Sequence, residues 1–310
     1  MTLKKFSLFV LIYNIFVILV GALVRATGSG AGCGAHWPSC NGEVIPTSPQ
    51  IETIIEFSHR ITSGFSLVFV LILFVWVYRV YEKKTKIRKA ALFILIFIIF
   101  EALIGAGLVL FKLVGDNSSV ARAIIIALHL VNTFLLLGSN ALLFEWIRFG
   151  EPNKAIISKN GMQLFSILII LFLILGASGA ITALGDTLFP ADSLMEGLEQ
   201  DFRGENFLLQ LRVYHPMIAL LIGLGFYILH TSFLSKSKND RMNLYYKYVV
   251  GLFILQLVVG VMNVLLLAPV WMQLIHLLLA DIVWIFFVFW LNQIIFYGLT
   301  PSQPAQPKYP

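Results

Sequence analysis

The chain has 310 residues, of which 59% are hydrophobic and only 12% are charged, and its mean hydropathy is +0.88. No soluble domain of this size has such a composition, so a soluble globular protein is excluded. The formal net charge of +6 comes largely from basic residues in the turns between apolar stretches. It therefore gives little support for a nucleic-acid partner.

Eight apolar stretches are long enough to cross a hydrocarbon core ~30 Å thick, which takes about 20 helical residues. They cover residues 6–26, 53–80, 91–111, 121–147, 163–184, 210–234, 246–268 and 272–297. The sequence thus predicts an all-α integral membrane protein with eight transmembrane helices. Basic residues such as those of the run 83–89 fall in even-numbered turns, on the side of both termini. By the positive-inside rule, both termini are expected to be cytoplasmic.

An internal repeat indicates how the spans are organised. The segment from Gly21 to Thr27 is echoed 155 positions later from Gly176 to Thr182, and the third spans match at the same offset. Because each half has an even number of spans, the copies insert in the same direction. We therefore expect two pseudo-symmetric four-helix bundles, residues 1–160 and 161–300. Residues 301–310 are rich in Pro and Gln and are predicted to be disordered.

Four histidines lie within the second and fourth spans of the two halves. They are His59, His129, His215 and His276. A lone histidine in a span is often only a hydrogen-bonded residue between helices, but four at repeated positions indicate a shared use. In each half the two imidazoles are expected at similar depth on separate helices, as bis-histidine ligation of one haem requires. The sequence thus predicts a haem site in each half, with these histidines as the iron ligands.

Haem propionates need cations, which are scarce on the outer side. Arg60 directly follows His59, Arg122 precedes His129 by two turns, and Arg212 precedes His215 by one turn. We interpret Arg60, Arg122 and Arg212 as candidate propionate ligands, although each also fits as a marker of the membrane interface. Arg25 is interpreted as such a marker.

The halves differ in their carboxylates. Glu56 lies three residues before His59 on the same helical face, whereas Arg212 holds the equivalent place before His215. A carboxylate beside one haem is suited to accept a proton or to stabilise positive charge, so Glu56 is the candidate catalytic residue. Glu101 against Gln256 repeats the asymmetry deeper in the membrane, where a protonated structural residue and a proton path both fit.

The two cysteines, Cys33 and Cys40, lie in a glycine-rich loop on the side opposite the termini. A pair facing an oxidising compartment is typical of a disulfide. A staple that closes the loop is favoured over a redox-active pair, because the spacing lacks the form of a thioredoxin motif. A metal site that includes His36 is a third, weaker alternative.

Three of these motifs together resemble the haem A synthase family. They are Gly-Ala-Leu-Val-Arg-Ala-Thr-Gly-Ser-Gly at 21–30, the cysteine loop from Gly32 to Cys40, and Glu-Phe-Ser-His-Arg at 56–60. The histidines of the fourth, sixth and eighth spans match as well, and the resemblance covers essentially the whole chain. It is greatest to the two-cysteine bacterial form known from Bacillus, and the mitochondrial enzyme is related.

The resemblance implies an oxidoreductase of the bacterial plasma membrane that converts haem O to haem A by oxidising a porphyrin methyl group to a formyl group. His59 and His129 would hold the substrate haem O, His215 and His276 would ligate a permanent haem b, and both sites would face the extracytoplasmic side. Haem O synthase (protohaem farnesyltransferase), cytochrome oxidase assembly and an unidentified electron donor or acceptor are the implied partners. Two alternatives stay open: a di-haem electron-transfer cytochrome, and a haem carrier or oxidase assembly factor without turnover.

Overall fold

The computed structural model describes residues 1–47, 49–203, 206–229 and 238–298, and these form ten α-helices. The helices are α1 (Leu3–Ala26), α2 (Ile51–Val80), α3 (Lys86–Leu110), α4 (Val120–Phe149), α5 (Lys159–Leu188), α6 (Leu194–Arg203), α7 (Phe207–Arg212), α8 (Tyr214–Leu229), α9 (Asp240–Leu265) and α10 (Val270–Tyr297). Eight helical segments of the described chain are long and apolar enough to cross a membrane, with α7 and α8 counted as one. The predicted all-α membrane fold is confirmed. The predicted disordered tail, residues 301–310, lies outside the described residues.

Several helices begin before their apolar stretch because a polar side chain caps them. Thr85 accepts a hydrogen bond from the backbone N–H of Arg88, so α3 begins at Lys86 rather than near residue 91. Ser158 caps α5 through the backbone N–H of Gly161, so α5 begins at Lys159, four residues ahead of the predicted span. Such caps satisfy backbone donors that a helix leaves unpaired at its first turn.

The sixth span is broken between α7 and α8, at Val213. Pro216 lies three residues further on, where it has no N–H to donate and its ring crowds the carbonyl of Arg212. The break places His215 in the first turn of α8. The ten-residue helix α6 in the preceding loop is a feature that the span pattern did not predict.

The two ends of the bundle are identified by contacts between distant turns. At one end the backbone N–H of Lys86 donates to Glu151 at 2.9 Å, and that of Ile156 donates to the carbonyl of Ile295 at 3.0 Å. At the other end Arg25, at the end of α1, reaches Thr187 at the end of α5. All four candidate histidines lie toward this second end, which also carries the cysteine loop.

The seam between residues 1–160 and the rest of the chain is built from α1, α4, α5 and α10. An apolar cluster crosses it, with Phe134 stacked on Trp284 at 5.3 Å between ring centroids. The indole N–H of Trp284 also donates to the carbonyl of Phe134 at 2.6 Å. The seam therefore fixes the position of α4 against α10, the two helices that carry His129 and His276.

Candidate functional site

The histidines of the C-terminal half face each other. The ring centroids of His215 and His276 are 6.3 Å apart, and the ring planes are 77° from parallel. A histidine nitrogen lies about 2 Å from a bound transition metal, and its ring centre lies roughly 1 Å behind it, so two rings on opposite sides of one iron have centroids about 6 Å apart. The separation fits a bis-histidine haem.

Buried ring nitrogens without partners give a second fit to haem. The Nδ1 atoms of His59, His129 and His276 are buried and form no hydrogen bond with the residues that the structure describes, whereas Nδ1 of His215 lies 3.0 Å from Ser178 Oγ. Buried polar atoms are normally satisfied, and each exception needs an explanation. Iron ligated by Nε2 would fix the orientation of such a ring and leave Nδ1 as its outer nitrogen, which in His129 lies 3.4 Å from Glu101.

A glycine on a neighbouring helix leaves room for three of the rings. A methyl group added at Gly21 would lie 2.9 Å from Cε1 of His59, and one added at Gly179 would lie 2.9 Å from Cε1 of His215. Gly260 has the same relation to His276, at 3.1 Å. These glycines let the helix backbones approach the imidazoles closely.

The glycine contacts correct the predicted register of the repeat. Gly176, the predicted counterpart of Gly21, packs against Phe134 and not against a histidine. The residue in the equivalent position is Gly179, which puts the offset between the first spans of the halves at 158 rather than 155. The pattern Gly-Ala occurs twice in this stretch of α5, and the contact with His215 selects the second occurrence.

Glu56 is 3% exposed, and donors hold both of its carboxylate oxygens. The backbone N–H of Cys33 donates to Oε2 at 2.8 Å, and Arg60 donates to Oε1 through Nε at 3.1 Å and also through Nη2. Charge-assisted bonds of this kind are the stronger class of protein hydrogen bond. Glu56 is thereby held on the face of α2 that also carries His59.

Arg60 also holds the cysteine loop. Its Nη1 donates to the backbone carbonyls of His36 at 2.6 Å and Ser39 at 2.5 Å. The guanidinium therefore links α2 to the loop and to Glu56. Its predicted role in binding a propionate stays a prediction, and it would require Arg60 to share these contacts.

The predicted disulfide between Cys33 and Cys40 is confirmed, with an S–S distance of 2.01 Å. Both cysteines are fully buried, and the loop lies against the start of α2, where Thr53 Oγ1 donates to the carbonyl of Gly32 at 2.8 Å. Because neither sulfur is free, a thiolate metal site that includes His36 is not formed. The burial favours a staple over direct exchange with a partner.

The other two predicted propionate ligands are also engaged. Arg212 donates to Asp186 at 2.9 Å and to Asp201 at 2.7 Å, so two carboxylates balance its charge. Burial raises the pKa of Asp201, although the neighbouring Arg212 opposes this shift. Arg122 is 3% exposed and donates through Nη1 to the carbonyls of Gly115 and Asn117, while its Nε has no partner in the described part of the chain. Of the three predicted arginines, Arg122 alone keeps a buried N–H available.

Arg25 was interpreted from the sequence as an interface marker, but it crosses the seam. Its guanidinium donates to Ala183 O and Thr187 Oγ1 at 2.6 Å each, and to Gln273 Oε1 at 2.9 Å. All three acceptors are neutral groups of the C-terminal half. At the corrected offset of 158, the position equivalent to Arg25 is Ala183, so the arginine occurs in one half and not in the other. This difference is the sequence feature that could have indicated a role for Arg25 across the seam.

The fold and these residues define a polytopic membrane protein with two repeat-related histidine pairs. Among the described residues, the buried Glu56 lies one turn from His59, and Arg212 holds the equivalent place beside His215. The comparisons then give the family. Residues 4–288 match the COX15-CtaA family, described as cytochrome oxidase assembly protein, and the chain belongs to that family.

Named relatives agree with this membership. A Thermus thermophilus protein named protoheme IX farnesyltransferase is 48% identical over 287 residues, which is 90% of this chain and 46% of that protein. A heme A synthase of Halalkalibacterium halodurans is 42% identical over 164 residues, 52% of each protein. A heme A synthase of Lysinibacillus sphaericus is 28% identical over 288 residues, covering 90% of this chain and 91% of that protein. The chain thus spans about half the length of the first two relatives.

Proposed function

We propose that this protein is a haem A synthase, which oxidises a methyl group of haem O to a formyl group and so provides haem A for cytochrome oxidase. The observation that carries the proposal is the clamped Glu56, which lies buried beside His59 in one half only. Membership in a family of oxidase assembly proteins and relatives named heme A synthase support it.

In this proposal His59 and His129 hold the substrate haem, and Glu56 is the catalytic residue. The substrate supplies the methyl group and an iron-bound ring from which electrons can be withdrawn. Glu56 would accept a proton released from that methyl group, and one of the donors that hold its oxygens would give way to the proton. Arg60 and the Cys33 amide keep the carboxylate in place.

The C-terminal half has a different role in this proposal. His215 and His276 hold a haem b, whose chemistry is the transfer of single electrons. In place of a catalytic carboxylate, this half has Arg212, neutralised by Asp186 and Asp201. A histidine pair whose charged neighbour is an arginine paired with carboxylates is suited to an electron relay. We place both sites on the extracytoplasmic side of a bacterial plasma membrane, because the basic turns lie at the opposite end.

Haem O synthase is the proposed source of the substrate. The Thermus relative carries the name of that activity, and the match covers 46% of its length. A protohaem farnesyltransferase is therefore the partner activity that we expect for this chain.

The test is the haem composition of membranes that contain a haem O source together with this chain or its Glu56→Gln variant. We expect haem A with the native chain, and haem O or its alcohol intermediate with the variant. Glu52→Gln is the matched control, because Glu52 lies one turn earlier on α2 and is exposed. Unaltered haem O from the native chain, with electron supply shown to be intact, would refute the proposal and favour the di-haem cytochrome or the haem carrier.

A further inference from the structure

Each histidine of the fourth spans has a polar neighbour from the third span of its own half. Glu101 lies beside His129, and Gln256 lies beside His276. The two neighbours are related by the repeat, at an offset of 155, so one half offers a carboxylate where the other offers a neutral amide. A carboxylate within a membrane span is costly and indicates a functional use.

Donors surround Glu101. Thr133 Oγ1 donates to Oε1 at 2.6 Å, and the side-chain amide of Asn132 donates to Oε2. Oε1 also lies 3.4 Å from Nδ1 of His129, a nitrogen that forms no hydrogen bond to any described residue. Because each oxygen faces a donor, the site is built for an acceptor, which is what a carboxylate provides.

Gln256 is held differently. Its Nε2 donates to the backbone carbonyl of His276 at 3.0 Å and lies 3.2 Å from Nε2 of that ring. Its Oε1 has no partner among the described residues. The amide therefore brings no net charge to His276, and it contacts the opposite ring nitrogen from the one that Glu101 approaches.

We propose that Glu101 is a positioning residue for His129: it turns Nδ1–H of the ring toward its carboxylate, leaves Nε2 directed at the substrate iron, and lowers the reduction potential of that centre. The inference rests on the ligand assignment of the proposed function. A carboxylate on the outer nitrogen of a ligating histidine fixes its tautomer and raises its basicity. A more basic axial ligand stabilises the oxidised iron.

A purely structural role for Glu101 makes a different prediction. Its hydrogen bonds with Asn132 and Thr133 connect α3 to α4. A glutamine at position 101 has one side-chain oxygen and could accept one of these two hydrogen bonds. If this connection is the whole function, Glu101→Gln and Thr133→Val should behave alike. If the charge beside His129 matters, only Glu101→Gln should change the properties of the haem.

The experiment is a redox titration of the purified holoprotein, with the two haem components assigned by their loss in His129→Ala and His276→Ala. Loss of a group that orients a metal ligand typically changes metal affinity by 10–100-fold. For Glu101→Gln we expect the preference of the His129-dependent centre for the oxidised state to fall about tenfold, which is about 59 mV in a one-electron couple. The EPR g-values of that centre should change as well. Thr133→Val keeps the carboxylate and should leave the midpoint in place.

Gln256→Glu is the matched variant in the other half, and it can be measured even if Glu101→Gln does not fold. It adds a negative charge beside His276 and should lower the midpoint of the His276-dependent centre through that charge, because residue 256 contacts Nε2 and not the outer nitrogen of the ring. Unchanged midpoints in a variant that still binds both haems would overturn the inference. A native protein that is supplied with haem O and still binds no His129-dependent haem would refute the ligand assignment and the inference with it. Failure to convert haem O, with the midpoints shifting as expected, would refute only the proposed function.

Discussion

The two halves of this protein share one helical frame but differ in the groups next to the histidines. Beside His59 lies the buried Glu56, and beside His129 lies Glu101. At the repeat-related positions the C-terminal half has Arg212 and Gln256. The N-terminal half thus carries two acceptors where its counterpart carries a neutralised cation and an amide.

The comparison shows that the helix arrangement around the histidines can stay the same while the charged groups next to them change. Gly21 and Gly179 make the same close approach to an imidazole in each half, so the repeat preserves the space for the rings. The loops over the two sites have diverged: a disulfide loop covers Glu56, while α6 supplies Asp201 to Arg212. Under the proposed function, one half would hold a substrate and the other a permanent cofactor, and this divergence in charge fits that division.

Of the variants that test the difference between the halves, Arg212→Ala is expected to have the largest effect. Arg212→Ala strands Asp186 and Asp201, whose side chains are 15% and 21% exposed, without their counter-charge. Removing one partner of a buried ion pair costs about 3–5 kcal/mol. We expect a loss of this order in the free energy of unfolding, measured by denaturant titration in mixed micelles.

A triple variant that adds Asp186→Asn and Asp201→Asn to Arg212→Ala separates this account from propionate binding. Without the stranded charges, stability should largely return. Haem b content that stays low after stability has returned would show instead that Arg212 binds a propionate, as the sequence alone suggested.

The cysteine loop gives the next effect in size. Cys33→Ser with Cys40→Ser opens a loop whose ends are separated by seven positions. A loop this short contributes about 2–3 kcal/mol by the chain-entropy estimate. Because the Cys33 N–H holds Glu56, haem A formation should fall together with stability and should recover partly at lower temperature. A double variant that is fully folded yet makes no haem A would contradict the staple and favour a redox role.

The sequence predicted the membrane fold well because hydropathy over about 20 residues is a strong signal. It also singled out the four histidines, since an imidazole in an apolar span stands out without any knowledge of contacts, and their role as iron ligands stays a prediction. The break before His215 was missed, although Pro216 could have indicated it. The helix α6 was missed because it lies in a polar loop outside the spans.

Charge partners were harder to predict than the charged residues themselves. Asp186 and Asp201 lie 26 and 11 positions from Arg212, so nothing in the local pattern joins them. The same holds for Arg25, whose acceptor Gln273 is 248 positions away. Only the packing of α1 against α5 and α10 brings these groups together. The register of the first spans was ambiguous because small residues recur along α5.

The smallest expected effect comes from two glycines that the repeat relates at an offset of 155, Gly105 and Gly260. A methyl group at Gly260 would meet Cε1 of His276 at 3.1 Å, whereas one at Gly105 would meet nothing within 4 Å. Gly260→Ala should displace the ring, cost about 1–2 kcal/mol and reduce the bound haem b. Gly105→Ala should stabilise α3 by up to about 1 kcal/mol, because alanine favours helix over glycine. Haem extraction and thermal unfolding of the two variants measure both effects, and equal losses of haem would show that the rings of His129 and His276 are equally confined.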